Sequence, residues 1–166
     1  MIPLDYLTVW HFLLWIHYAA LSVWTGGLLL LSFVVAPAVH RSVVSKSVAG
    51  EIVGRTLKTF NRWEVTSCGI LLVSLCSSFQ FIFDHVHERW ILIGMVFFMG
   101  GIVFIYSRVL TPRMEQIKQK MPAFLPASQE LLQADFRRLH RLYAGLMSLN
   151  LILSLIVLGG SIILLK

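Results

Sequence analysis

Apolar residues are gathered into long, uninterrupted runs along this chain, with shorter polar segments between them. Each run can supply the roughly 20 apolar residues that a membrane-spanning helix needs. Their apolar positions are continuous rather than alternating, which favours helices over the strands of a membrane barrel. The pattern predicts an all-α fold, an integral membrane four-helix bundle forming one domain over residues 1–166, with spans at about 7–39, 65–83, 90–110 and 142–165.

The first run is longer than one span requires, since as one helix it would measure about 50 Å against a hydrocarbon core of about 30 Å. Pro37 is expected to mark its far end, because proline removes a backbone donor and clashes with the preceding turn. Tilt, an interfacial turn before Trp10 or a break near Gly26 and Gly27 would also accommodate the length. No basic segment precedes the run, so we expect it to be retained rather than cleaved as a signal peptide.

Composition and charge add an orientation to this picture. The chain is 57% hydrophobic and 13% charged, whereas a soluble domain is about 25% charged. All Lys and Arg residues lie in or beside the first and third polar segments, except Arg89 and Lys166. The positive-inside rule then predicts a plasma (inner) membrane protein with both basic loops in the cytoplasm and both termini outside. Anionic membrane lipids explain the net charge of +6, so we expect no nucleic-acid partner.

The cytoplasmic segments also carry helical patterns. Apolar residues recur every three or four positions from Ser128 to Tyr143, which predicts an amphipathic helix that runs directly into the fourth span. A weaker pattern over residues 49–60 predicts a second cytoplasmic helix. The prolines after the third run predict a turn-rich connector there; they are Pro112, Pro122 and Pro126.

Polar residues at membrane depth are the candidates for function. His17 and Trp24, seven residues apart, share one helix face, and Gly26 and Gly27 follow where a neighbouring helix or a flat cofactor could approach. A neutral imidazole there could ligate haem iron or copper, or it could hydrogen-bond to a serine or carbonyl of the next helix. His11 lies about 120° around the helix from His17, so both cannot face one ligand squarely.

The stretch "DHVHE" is a second, weaker candidate for metal binding. His85 and His87 with Asp84 and Glu88 could hold a divalent metal in the outer loop. A short loop of this composition is more often a polar turn.

Other chemistry has little support in the sequence. Asn150 is expected to hydrogen-bond between helices, and Cys68 and Cys76 are expected to be packing residues. Asp84, Glu88 and Glu64 all lie at the ends of the runs, so no span is expected to contain a buried carboxylate suited to ion coupling, and a transporter is not indicated. No P-loop, dinucleotide or zinc motif is present.

Several short stretches resemble the CopD-like superfamily of small membrane proteins. They are "WTGGLLL" and "VVAPAVHR" in the first run, "LTPRME" after the third and "FRRLHRLYAGLMSLN" entering the fourth. The superfamily includes copper-resistance protein D, the HemJ-type protoporphyrinogen oxidases and uncharacterised four-helix proteins, and the resemblance is closest to the uncharacterised branch. It implies a four-span bundle in a plasma membrane and, for some relatives, haem or copper handling.

The haem-binding relatives are similar to this chain in a first-helix histidine seven residues before a Trp-x-x-Gly pattern, which His17, Trp24 and Gly27 match. Their second ligand, a lysine after a tryptophan in a later helix, has no counterpart, because no lysine follows Trp90 in the third run. Substitute ligands would be His11, Met95, Met99 or His140.

Three hypotheses result. In the first, the bundle is a redox or metal-handling module that binds haem b or copper through His17, so that His17 and Trp24 line the interior. In the second, it is a cofactor-free structural or accessory subunit of a membrane complex, in which His17 has a hydrogen-bond partner. Close helix contacts are then expected at Gly26, Gly27, Gly100 and Gly101. A protoporphyrinogen oxidase-like enzyme is the third, weakened by the missing lysine.

Overall fold

Helices account for nearly all of the backbone that the structure describes. The computed structural model of the protein describes residues 4–80, 86–120 and 126–165, apart from the side chains of residues 4–7, 46–47 and 126–129. Its helices are α1 (Leu4–Leu29), α2 (Ala36–Ser42), α3 (Lys46–Ser78), α4 (Val86–Phe104), α5 (Thr111–Lys120) and α6 (Pro126–Leu164). Two π-helical segments, Leu30–Val35 and Ile105–Leu110, join α1 to α2 and α4 to α5 without interruption. Because these ranges contain no strand, the all-α prediction is confirmed for the described part of the chain.

The helices continue through two prolines, which corrects two expectations. Pro37 lies near the start of α2 rather than at the end of the first helix, and Pro112 lies near the start of α5 rather than in a turn-rich connector. Each follows a π-helical segment by two residues, and the wider π turn relieves the clash that a proline ring causes with the preceding turn of an α-helix. Pro122 lies outside the described residues. Pro126 begins α6, at a position that favours proline.

The helical patterns predicted for residues 49–60 and for Ser128 to Tyr143 are confirmed. The 39-residue α6 contains the amphipathic segment from Ser128 and the fourth apolar run in one helix. Residues 49–60 are likewise helical, but they form the first part of α3 rather than a separate helix. The start of α3 is capped by Ser45, whose hydroxyl oxygen accepts a hydrogen bond from the Val48 amide at 3.5 Å.

Three helices in the described part of the chain are long and apolar enough to cross a membrane: Thr8–Ser42, Val86–Lys120 and Glu130–Leu164. The second apolar run does not add a fourth by this measure. Its helix, α3, begins with polar residues and its described part ends at Ser78, while the last apolar residues of the run, 81–83, lie outside the described ranges. The outward faces carry large apolar side chains, for example Phe12, Phe33 and Phe97. Such exposed apolar surface is typical of a membrane protein.

The long helices pack side by side around one apolar core. α1 contacts both α3 and α6, and α4 contacts the same two helices. The fully buried side chains at the centre include Leu21, Leu28, Leu71, Leu75, Val96, Met99 and Val157. This arrangement brings residues from α1, α3 and α6 together around His17, and residues from α3, the second π-helical segment and α6 together around Glu64.

Candidate functional site

His17 lies in the interior, where it joins three helices. Its side chain is 1% exposed. The Nδ1 atom lies 2.7 Å from Oγ of Ser74 on α3, and the Nε2 atom lies 3.0 Å from Oγ of Ser161 on α6. Both ring nitrogens therefore have hydrogen-bond partners, which is the arrangement that the accessory-subunit hypothesis expects.

The serine hydroxyls indicate which ring nitrogen of His17 carries hydrogen. Ser74 donates its hydroxyl proton to the carbonyl oxygen of Leu71 at 2.9 Å, so its Oγ accepts a hydrogen bond from Nδ1–H. In a neutral imidazole Nε2 is then unprotonated, and the Ser161 hydroxyl donates to it. A metal would reach Nε2 only by displacing that hydroxyl, so the packed side chains do not present a free ligand to haem iron or copper.

Tyr18 and Trp24 complete the surroundings of His17. The Tyr18 hydroxyl donates to the carbonyl oxygen of Ser161 at 3.0 Å, and its ring meets the imidazole edge-on at 5.5 Å between centroids. Trp24 is 0% exposed, so His17 and Trp24 both face the interior, as the cofactor hypothesis expects. Its indole Nε1 has no hydrogen-bond partner among the described residues, which leaves one buried donor on the face of α1 that carries His17.

The paired glycines divide into packed and open positions. A Cβ atom on Gly27 would meet the ring of Phe60 on α3. A Cβ atom on Gly100 of α4 would lie 2.8 Å from Sγ of Cys68, which is also on α3. No described atom lies within 4 Å of the equivalent position at Gly26 or Gly101. Within the described bundle, close helix contacts therefore occur at Gly27 and Gly100, while Gly26 and Gly101 are open.

The other histidines are not brought to His17. His11 and His140 are exposed, the latter on the long extension of α6 beyond the apolar run. His87 is exposed at the start of α4, and His85 lies outside the described residues. Within the described ranges, no three His, Cys, Asp or Glu side chains come together as a protein metal site would require.

Glu64 is buried, which corrects the expectation that the chain has no buried carboxylate. Its side chain is 1% exposed. One carboxylate oxygen, Oε1, accepts a hydrogen bond from the Tyr106 hydroxyl at 2.6 Å. With its amide nitrogen turned toward the carboxylate, Asn61 donates to Oε2 at 3.2 Å and to the carbonyl oxygen of Leu57 at 3.0 Å. Glu64 is thus held by polar side chains from its own helix and from the π-helical segment after α4.

Asn150 extends this cluster to α6. Its Nδ2 atom donates to the Tyr106 hydroxyl oxygen at 3.4 Å, which confirms the predicted interhelical hydrogen bond. Its Oδ1 atom is buried and has no partner among the described residues. Tyr143 packs on Tyr106 with ring centroids 5.1 Å apart and interacts with Glu64 and with the side chain of Asn61.

The position of Glu64 had a signal in the sequence. From Asn61 onward, the buried residues of α3 recur mostly every three or four positions along one face, and Glu64 lies on that face; they are Asn61, Glu64, Ser67, Leu71, Ser74, Leu75 and Ser78. More than half of these residues are polar, so a measure based on hydrophobicity begins the span at Val65 and places Glu64 outside it.

Comparison with known proteins adds one finding. The family described as "Domain of unknown function (DUF4149)" matches residues 19–123, a stretch that includes Trp24, Glu64 and Tyr106 but not His17 or Asn150. No curated protein and no solved structure matches the chain. Because the family matches more than half of the residues, the protein belongs to the DUF4149 family, whose domain has no known function.

Proposed function

We propose that the protein is a cofactor-free structural or accessory subunit of a membrane complex, built as a bundle of four spanning helices. The observation that carries the proposal is the engagement of both His17 ring nitrogens by serines of two other helices. Hydrogen bonds between spanning helices stabilise their association, because lipid offers polar groups no alternative partner. An imidazole held in this way serves the packing of α1, α3 and α6.

The residue pairs between helices support α3 as the fourth span. Along α3 the contacts with α1 run in opposite order, since His17 meets Ser74 and Gly27 approaches Phe60. α3 is therefore antiparallel to α1 and extends over the same depth. The basic loops at one end of the bundle support an orientation with that end in the cytoplasm and both termini outside, in a plasma (inner) membrane.

The open glycines support a partner among other membrane proteins. Gly26, Gly101 and Gly159 lie in helices that are apolar enough to span, and no described atom lies within 4 Å of the place a Cβ would take. All three are exposed. Small residues on a lipid-facing surface allow another helix to approach the backbone closely.

The second candidate is a haem b- or copper-binding redox or metal-handling module. Two observations favour it: the Nε2 lone pair is held only by the 3.0 Å bond from Ser161, and the Trp24 indole nitrogen is buried without a described partner. The resemblance to CopD-like proteins points the same way. Ligation of haem iron or copper by His17 would require the Ser161 hydroxyl to move away from Nε2.

Absorption spectra of the detergent-purified protein, oxidised and dithionite-reduced, together with metal analysis of the same samples, distinguish the two candidates. The spectra are recorded for the wild-type chain, for His17→Ala and for His11→Ala, an exposed histidine of the same helix that serves as the control. The proposal expects no Soret band and no stoichiometric metal in any of the three. A Soret band or bound copper that is lost in His17→Ala and retained in His11→Ala would overturn it in favour of the cofactor module.

A further inference from the structure

Glu64 is a buried carboxyl group with no cationic partner among the described side chains. The two ion pairs between described residues, Arg55 with Glu51 and Lys58 with Glu115, are exposed and do not involve it. A buried ionisable group needs hydrogen bonds, an opposite charge or a proton to offset the loss of water. Glu64 has hydrogen bonds to its two oxygens, and a proton is the remaining way to neutralise it.

The hydrogen bonds around Glu64 form a chain with a direction. Asn150 Nδ2 donates to the Tyr106 oxygen, and the Tyr106 hydroxyl donates in turn to Glu64 Oε1. This is the arrangement of an ionised carboxylate, which only accepts hydrogen bonds. The chain ends at Asn150, where Oδ1 has no partner among the described residues.

The same three side chains can also form a chain of hydrogen bonds that runs in the opposite direction. A protonated Glu64 donates to the Tyr106 oxygen, and the Tyr106 hydroxyl then donates to Asn150 Oδ1 after a half-turn of the amide. Because only one end of that amide is bonded in either orientation, both chains contain the same number of hydrogen bonds. The 3.4 Å bond from Asn150 to Tyr106 is long, so the amide is held weakly in its present orientation.

We propose that Glu64 is a proton-binding site inside the bundle and that the hydrogen-bond chain through Tyr106 and Asn150 reverses when the proton binds. Uptake adds one proton to a carboxylate oxygen of Glu64 and removes one negative charge, with no other bond made or broken covalently. The proton comes from the solvent. This inference goes beyond the proposed accessory function and does not depend on what His17 binds.

Among the described residues, the titratable groups that face Glu64 are two tyrosines. From the π-helical segment the titratable neighbour is Tyr106, and from α6 it is Tyr143, while Asn61 on α3 and Asn150 on α6 are uncharged. α1 passes this level near Gly27 and has no titratable side chain between Tyr18 and its end. The neighbouring arginines in the sequence are exposed; they are Arg62 and Arg108.

Infrared difference spectroscopy of the purified full chain, titrated from acidic to alkaline pH, tests the proposal. The carbonyl stretch of a protonated carboxylic acid is distinct from the carboxylate bands and shifts in D₂O. The spectra compare the wild type with Glu64→Gln, with the exposed control Glu115→Gln and with Tyr106→Phe. The last variant keeps the Glu64 carboxyl group but removes the hydroxyl that links it to Asn150.

We expect one buried carboxylic acid band that appears as the pH falls, is lost in Glu64→Gln and is retained in Glu115→Gln. In Tyr106→Phe the band should remain but change frequency and midpoint, because the tyrosine hydroxyl no longer bonds to the group. This variant keeps the test valid if Glu64→Gln does not fold. A Glu64 band that persists at every pH, a carboxylate that never protonates, or a band unchanged by Tyr106→Phe would overturn the proposal.

Discussion

Single residues decide how the polar interior of this protein is satisfied. His17 has partners on both sides of its ring, Ser74 and Ser161, and the Ser74 hydroxyl donates its own hydrogen bond to a backbone carbonyl oxygen of α3. Ser154 provides a contrast on α6: it is buried, and among the described residues its hydroxyl donates to the carbonyl oxygen of Leu151 in its own helix rather than to another helix. The interhelical bonds of His17 should therefore contribute to the stability of the bundle in a way that the bond of Ser154 does not.

Replacement of Ser161 by alanine should lower the thermal stability of the detergent-solubilised protein. It removes one interhelical hydrogen bond, and such bonds contribute about 0.6 kcal/mol on average and up to about 2 kcal/mol. Ser74→Ala should destabilise by a similar amount, and His17→Ala, which removes both bonds and much of the packed ring, by more than either. The measurement is the melting temperature of each variant, with Ser154→Ala as the control. Equal losses for Ser154→Ala and Ser161→Ala would contradict a special role for the His17 bonds.

Pairs of glycines fix the spacing of neighbouring helices at the scale of whole elements. Each Gly-Gly pair has one member against another helix and one member open: Gly27, Gly100 and Gly160 are packed, and Gly26, Gly101 and Gly159 are not. The packed members lie at the contacts of α1 with α3, α3 with α4, and α4 with α6. A helix positions only one of two adjacent residues toward a given neighbour, because successive residues are separated by about 100°.

Gly100→Ala should destabilise the protein, whereas Gly101→Ala should not. A Cβ at position 100 would lie 2.8 Å from Sγ of Cys68, and that short side chain has little freedom to move away. Overpacking of this kind costs about 1–3 kcal/mol. At the open position alanine is a better helix former than glycine and should be neutral or stabilising by up to about 1 kcal/mol. Chemical or thermal denaturation of the two variants checks the sign, and a destabilised Gly101→Ala with an unaffected Gly100→Ala would reverse the assignment of the faces.

At the scale of the whole molecule, the antiparallel order of the helices puts the two ends of α3 at opposite ends of the bundle. α4 lies antiparallel to α3, since Gly100 approaches Cys68 while the Arg89 guanidinium donates to the Ser78 carbonyl oxygen at 3.0 Å. α3 thus leads from the end of the bundle where α2 stops to the end where α4 begins. Val44, between α2 and α3, and His87, at the start of α4, are both exposed at these opposite ends.

Cysteine labelling should place Val44 and His87 on opposite sides of the membrane. In a chain that carries Cys68→Ala and Cys76→Ala, a membrane-impermeant thiol reagent added to intact cells should modify His87→Cys but not Val44→Cys. In inverted membranes the pattern should reverse, with Val44→Cys modified and His87→Cys protected, and both positions should react after permeabilisation. Labelling of both residues from one side would show that α3 does not cross the membrane.

The all-α fold class and the membrane character of the protein followed from the sequence, because both depend on how apolar residues are distributed along it. Runs of apolar residues determine helices in lipid, whatever the neighbouring helices are. The continuous helix from Ser128 into the fourth run was predicted for the same reason, since its pattern is local. The prolines were interpreted wrongly because the π turn that accommodates Pro37 and Pro112 is a property of the surrounding backbone, not of the residue itself.

The polar sites, in contrast, were decided by the tertiary structure. The sequence indicated His17 and Trp24 as residues of the interior, since an imidazole in an apolar helix is unfavourable against lipid. It did not indicate that Ser74 and Ser161 would hold both ring nitrogens, because those residues are far apart in the chain and meet only when α3 and α6 pack against α1. Glu64 was placed at a helix end by its neighbours in the sequence, but Tyr106 and Asn150 arrive from other helices and enclose it. Burial and hydrogen bonding of a polar residue depend on which helices surround it, and that information exists only in the packed bundle.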